Sequence, residues 1–332
     1  MTSQKKIFIT GIAGFIGFHL ASYLKKRGDY VIGCDNFNDY YSVSLKKQRA
    51  KVLQELGIEV IPCDIQNIKM LSPLFEKERF SHVVHLAAQA GVRYSLTHPQ
   101  AYSDSNLNGF LQILELSRQQ QQKLIFASSS SVYGVNQKIP FAETDRTDDP
   151  ISLYAATKRA GELMAKTYHH LYNIPMTGLR FFTVYGPWGR PDMAYFSFAE
   201  AINNNQPISV FNHGKMRRDF TYIDDIIQGT TQAIDHCQGY QIYNLGNNKP
   251  EELMTLIQLL EENLGKKAQL DFKPMQPGDV LETFADISKA QNDLGFNPST
   301  PLTTGITNFI KWYTTYASKL SLIKGQKPSL TV

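Results

Sequence analysis

An α/β fold built on a doubly wound parallel sheet is predicted by three features of this 332-residue chain. Short β-branched runs alternate with helical patterns through the first half, a rhythm that implies right-handed βαβ crossovers. The runs are apolar, as strands covered on both faces should be. A glycine-rich turn separates the first run from the first helical pattern, at the kind of sheet edge where open α/β folds bind ligands.

The elements follow in order. Lys6–Thr10 reads as the first strand and Gly14–Arg27 as the helix after it. Tyr30–Asp35, Ile58–Cys63 and His82–Ala87 read as the next three strands. A helix over Ala101–Gln119 leads to the strand Lys123–Ser128, and a long helix over Leu153–Tyr172 leads to the strand Met176–Arg180. The rhythm loosens after about Tyr185. Pro187-Trp188-Gly189-Arg190-Pro191 reads as a loop, and Glu251–Leu264 and Leu302–Tyr316 read as helices. The predicted organisation is a first domain over residues 1–185, a smaller C-terminal α/β lobe over 186–318 and a frayed tail over 319–332.

Composition narrows the class. A hydrophobic content of 42% supports a sizeable core, and a net charge of +4 is too mild and too dispersed to indicate nucleic acid. Cys34, Cys63 and Cys237 are odd in number and lack metal-ligand spacing, so free thiols in a reducing compartment are expected. No signal-like N-terminus and no apolar run of membrane-spanning length is present. A cytoplasmic protein without metal or membrane partner is the expectation.

The turn Thr10-Gly-Ile-Ala-Gly-Phe-Ile-Gly17 spaces its glycines as G-x-x-G-x-x-G. Gly11 permits a tight turn, Gly14 lets backbone approach a pyrophosphate, and Gly17 lets the helix pack on the sheet. The helix N-terminus offers N–H groups and a positive dipole end to phosphates. Asp35, ending the second strand, is placed to accept from adenosine ribose hydroxyls and to repel a 2′-phosphate, which favours NAD. Asp64 ends the third strand and reads either as an acceptor for the adenine amino group or as a helix cap. Leu86-Ala87-Ala88 puts small residues where a cofactor passes or where a helix packs.

Tyr154-Ala-Ala-Thr-Lys158 places a phenol and an ammonium on one helical face. A lysine beside a phenol stabilises phenolate, creating a general base for a hydroxyl proton. Ser129, within Ser128-Ser129-Ser130-Ser131 after a buried strand, is expected to bond the same substrate oxygen.

With these motifs, LAAQAGVRYS and RFFTVYGP, the chain resembles the extended short-chain dehydrogenase/reductase family with its Rossmann-type domain, in the sugar-nucleotide epimerase branch. The resemblance runs from about Lys6 to Trp312. Gly91-Val-Arg-Tyr-Ser95, Asn36-Phe-Asn-Asp-Tyr-Tyr41, Thr183 and Met275-Gln-Pro-Gly-Asp279 resemble UDP-glucuronate 4-epimerases in particular. The resemblance implies a catalytic set of Ser129, Tyr154 and Lys158. It implies NAD contacts at Gly11, Gly14, Phe15, Ile16, Gly17, Asp35, Asn36, Asp64, Ile65, Leu86, Ala87, Ala88, Asn106, Ser128, Tyr154, Lys158 and Phe181. A UDP-sugar would meet Gln89, Arg93, Ser129, Ser130, Ser131, Thr183, Arg190, Lys215, Arg218 and Asp279, and the C-terminal lobe would serve mainly in binding it.

Relatives acting on UDP-galactose carry asparagine where Thr183 stands and arginine where Gln276 stands. Hydroxyls of Thr183, Ser129, Ser130 and Ser131 suit a C6 carboxylate without adding a fixed charge. The implied activity is interconversion of UDP-glucuronate and UDP-galacturonate through a 4-keto sugar, with polysaccharide as the usual destination. The alternatives are 4-epimerisation of UDP-glucose or UDP-N-acetylglucosamine, and decarboxylation of UDP-glucuronate. Resemblance also implies a homodimer, paired through the helices Ala101–Gln119 and Leu153–Tyr172 as a four-helix bundle.

Overall fold

The computed structural model describes residues 4–275 and 281–325, with side chains described as far as residue 317. In chain order the first half contains β1 (Lys6–Thr10), α1 (Phe15–Arg27), β2 (Tyr30–Asp35), α2 (Val43–Glu55), β3 (Glu59–Pro62), α3 (Ile68–Glu78) and β4 (His82–His85). It continues with α4 (Tyr94–Thr97), α5 (Pro99–Tyr102), α6 (Phe110–Gln120), β5 (Lys123–Ser129), α7 (Leu153–Tyr172), β6 (Met176–Phe181) and β7 (Thr183–Tyr185). The second half contains α8 (Ala194–Asn203), β8 (Pro207–Val210), β9 (Arg217–Tyr222), α9 (Ile223–Asp235), β10 (Tyr240–Leu245) and β11 (Pro250–Glu252). It ends with α10 (Leu253–Leu264), β12 (Gln269–Phe272), β13 (Glu282–Thr283), α11 (Ser288–Leu294) and α12 (Leu302–Gly325).

Seven strands form one sheet in the order β10-β6-β5-β4-β1-β2-β3, every pair parallel. This is a Rossmann-like α/β arrangement, with the strand order reversing between β1 and β4. Alternating side chains feed two cores. On β1, Ile7 and Ile9 join the core with Leu20 and Leu24, whereas Phe8 joins Phe75, Phe110 and Phe126 on the other face.

The chain returns to this sheet after leaving it. Strand β10 lies beyond residue 185 yet pairs with β6 in register Tyr240↔Met176. The division at residue 185 therefore follows chain order rather than layers. The smaller lobe has β9 at its centre, paired with β7, β11 and β13. Asp219 on β9, fully buried, accepts from Asn247 N at 2.5 Å, Asn248 N at 3.1 Å and Ala285 N at 3.0 Å. That carboxylate ties β9 to the turns around it.

Several elements differ from expectation, α3 among them, which the sequence pattern does not predict. The helix expected over Ala101–Gln119 is α5, a π-helical turn over Ser103–Gly109, and then α6. The last helix runs on to Gly325, past the expected end at Tyr316 and into the expected tail. Helix α2 had not been anticipated, because its buried face carries Lys46 and Arg49 beside Leu45 and Leu53, which breaks the apolar period.

Candidate active site

The C-terminal ends of the parallel strands open into a cleft of about 1010 Å³, floored by the glycine turn and walled by the smaller lobe. Gly11 has φ of +69°, and a Cβ there would sit 2.7 Å from the Ala87 nitrogen. A Cβ on Gly17 would collide with the Gly11 carbonyl oxygen. The turn thus brings bare backbone to the cleft. No side chain caps the start of α1, which leaves that terminus to meet an anion.

Asp35 ends β2 and lines the cleft. Its Oδ2 accepts from Ala13 N at 3.1 Å and its Oδ1 from Phe37 N at 2.9 Å. Burial raises its pKa, against the pull of those N–H groups, Lys46 and Arg49. Asn36 donates to Asp64 Oδ2 at 2.8 Å, joining the ends of β2 and β3 at the cleft. Gly14, Phe15, Ile16, Ile65, Leu86, Ala87, Ala88 and Phe181 complete this half of the wall. An extended dinucleotide fits these residues: backbone for phosphates, a carboxylate for ribose hydroxyls, small side chains along the path.

Helix α7 carries the candidate chemistry. Ser152 caps it, accepting from Ala155 N at 3.1 Å, which sets Tyr154 in its first turn facing the cleft. Lys158 is buried, donates to the Ala127 carbonyl at 2.9 Å, and lies 6.0 Å from the Tyr154 ring centroid. Burial raises the Tyr154 phenol above its ordinary value, with a hydrogen bond from Ser129 and the charge of Arg190 opposing. The expected lowering of the phenol by Lys158 is therefore not seen. The ammonium is aimed at a backbone carbonyl instead, and burial with the repulsion of Arg190 lowers its own pKa to about 8. Ser129 Oγ lies 3.1 Å from Ser131 Oγ and accepts from Ser131 N at 3.2 Å. Ser130 and Ser131 begin a 3₁₀ turn after β5, and Thr183 opens β7 on the facing wall.

At the far end, Arg93, Arg190 and Arg218 line the cleft. Arg93 stacks 4.8 Å from the Phe211 ring. Arg190 pairs with Asp192, which also accepts from Tyr40 at 3.0 Å.

Three expected contact residues stand off the wall. Asn106 is buried, with Oδ1 accepting from Gln89 N at 2.8 Å and Nδ2 donating to Gln89 O and Thr157 Oγ1, each at 3.0 Å. Its amide is consumed in holding the segment after β4. Gln89 is buried in that same junction. Lys215 is exposed on the turn before β9. Asp279, with Gln276, lies outside the described residues.

Beneath the site sits a polar network that sequence reasoning did not find. Ser128 Oγ donates to Glu162 at 2.7 Å, and Arg180 donates to both Glu162 oxygens at 2.8 Å and to Tyr133 Oη at 3.0 Å. Ser128 thus faces Glu162 with its hydroxyl while bordering the cleft. The one available signal was that Glu162 lies four residues after Lys158 on the same helix. Among the described residues no cluster of three or more His, Cys, Asp or Glu is arranged for a metal, and no helix is long and apolar enough to cross a membrane.

Residues 7–246 match the model of the NAD dependent epimerase/dehydratase family. Protein CapI of Staphylococcus aureus is 50% identical, over 95% of this chain and 100% of the relative. UDP-glucuronate 4-epimerase 4 of Arabidopsis thaliana is 49% identical, over 94% of this chain and 76% of the relative. The crystal structure of UDP-glucuronic acid 4-epimerase from Bacillus cereus, in complex with UDP-glucuronic acid and NAD, matches with a TM-score of 0.88 and 35% identity. That match covers 94% of this chain and 99% of the other.

Proposed function

The chain belongs to the NAD dependent epimerase/dehydratase family, and from that premise we propose that it is a UDP-glucuronate 4-epimerase interconverting UDP-glucuronate and UDP-galacturonate. One observation carries the reading: Tyr154, Lys158 and the hydroxyls of Ser129, Ser130, Ser131 and Thr183 share one cleft with the glycine turn and Asp35. The likeness to the plant UDP-glucuronate 4-epimerases and the Bacillus cereus enzyme supports the choice of sugar.

The glycine turn and Asp35 would hold NAD, which when bound would supply reversible hydride chemistry at sugar C4. Tyr154 takes the C4 hydroxyl proton and later gives it back. The Ser129 hydroxyl and the Arg190 charge favour the phenolate. Lys158 spends one N–H on Ala127 O and keeps two further donors for the reacting end. The serine and threonine hydroxyls hold the C6 carboxylate, because the 4-keto uronate is a β-keto acid that loses CO₂ when its carboxylate is free to align. Arg93, Arg190 and Arg218 clasp the UDP diphosphate.

Pure protein incubated with UDP-glucuronate and no added NAD tests this. UDP-galacturonate is the expected product. UDP-xylose would make the chain a decarboxylase, and faster turnover of UDP-glucose or UDP-N-acetylglucosamine would move its specificity to neutral sugars. The protein acts in the cytoplasm, and its product feeds polysaccharide synthesis. It works as a homodimer: Leu111 on α6 with Leu163 and Leu171 on α7 expose apolar side chains that a four-helix bundle would cover. A sedimentation mass of one chain would exclude that assembly.

A further inference from the structure

Arg49 on α2 is the largest fully buried side chain among the described residues. Its partners are carbonyls and a phenol. Nε and Nη2 donate to Trp188 O at 3.1 and 2.6 Å, and Nη2 donates to Gly189 O at 2.9 Å. Nη1 donates to Ala13 O at 3.0 Å and to Tyr41 Oη at 2.8 Å. One guanidinium therefore joins the glycine turn to a corner of the chain more than a hundred residues away.

That corner is held at each step. His19 on α1 donates from Nε2 to Pro187 O at 2.9 Å, and burial lowers its pKa to about 4, so it stays neutral at physiological pH. With Arg49 it occupies three successive carbonyls, Pro187 to Gly189. Trp188 sits at φ +59°, a left-handed conformation that a bulky residue adopts only when its surroundings enforce it. Its indole lies 5.3 Å from Phe18 and 5.4 Å from Trp312. The residue after the corner is Arg190, on the cleft wall. At the other end, Ala13 is gripped from both sides, its N–H by Asp35 and its carbonyl by Arg49.

We infer that Arg49 is a positioning residue that sets both ends of the site at once, fixing the phosphate turn through Ala13 and aiming Arg190 through the Trp188–Gly189 corner. The inference rests on the reading of Arg190 as a contact of the UDP-sugar. Lysine cannot replace it, since three donors on one point do not span three carbonyls and a phenol.

The test is a double-mutant cycle on the NAD-loaded enzyme with UDP-glucuronate, using Arg49→Met, Arg190→Ala and the pair, with Arg49→Lys as the conservative variant. Arg49→Met is expected to raise KM about ten-fold with kcat within about three-fold, with Arg49→Lys failing to restore it. In the pair, KM should be no higher than in Arg190→Ala alone, because the aim of an absent side chain cannot be lost. Bound NAD, measured after denaturation, should fall in Arg49→Met and stay full in Arg190→Ala. Independent, multiplying effects on KM would overturn the inference and reduce Arg49 to a packing role. If Arg49→Met does not fold, His19→Ala, which frees one carbonyl of the corner, must show the same non-additivity on a smaller scale, or the inference falls. An unchanged KM in Arg190→Ala overturns it together with the role given to Arg190, whereas UDP-galacturonate formation by the parent protein reports separately on the activity.

Discussion

Replacing Arg180 with methionine should destabilise the protein far more than its distance from the cleft suggests. Glu162 has no exposed side-chain surface and Arg180 is 3% exposed. The substitution removes two charge-assisted bonds of 2.8 Å from a buried carboxylate. Breaking a buried pair from one side costs about 3–5 kcal/mol. Two partners survive, Ser128 at 2.7 Å and Arg159 at 3.0 Å, so the lower end, about 3 kcal/mol, is expected. The cost has a pH signature. In the parent, burial would raise the Glu162 pKa, but the Arg180 bonds and charge, with Ser128 and Arg159, outweigh it and hold it below its ordinary 4.5. Glu162 therefore contributes stability above that ordinary value, and the contribution is lost as pH falls through the lower folded value. Without Arg180 burial dominates and the sign inverts, so the penalty is largest at neutral pH and shrinks as the carboxyl is protonated. Denaturant unfolding of NAD-saturated protein at pH 7 and at pH 5 measures both effects. Adding Glu162→Gln to Arg180→Met should recover more than half of the loss. A single-mutant cost below about 1 kcal/mol, or no recovery in the pair, would refute the reasoning.

Other outcomes are open to direct measurement. Tyr154→Phe should abolish turnover while leaving melting temperature and bound NAD unchanged; activity at the parent level would remove its role as base. Gly11→Ala should strip NAD from the purified protein, since its Cβ would press on the Ala87 backbone at a φ of +69°; full NAD content would show that the turn yields. Lys158, lowered to about 8, should lose its proton as pH rises through that value, so kcat should decline on the alkaline side. On stability the same group acts in the opposite sense: the folded state binds fewer protons between about 8 and 10.5, so its contribution to stability rises with pH across that window. A flat rate through this range would deny the ammonium its part.

What could be read before the structure was local. The strand, glycine turn and helix from Lys6 to Arg27, and the Tyr154–Lys158 pair on a helix, each declare themselves within a few residues. What could not be read depends on partners distant in the chain. Asn106 carries an amide suited to a cofactor, yet whether that amide faces the cleft or Gln89 is decided by packing across α6 and α7. The aim of Lys158 at Ala127 rather than at the phenol is set by the end of β5. Arg180 and Glu162 look like ordinary surface charges until β6 and α7 stack and exclude water from both. Helix α2 escaped notice for a related reason, since a buried arginine reads as polar in any hydrophobic pattern.

The late return of β10 to the first sheet bears on how the polypeptide is made. A ribosome that has released everything through Phe181 has produced six of the seven strands, and β6 still presents an open row of backbone donors and acceptors. That row closes only when Tyr240–Leu245 emerges. Synthesis therefore passes through an interval in which a nearly finished layer can recruit a neighbouring nascent chain, and a gene fragment cut at residue 185 would hold the molecule in that sticky condition.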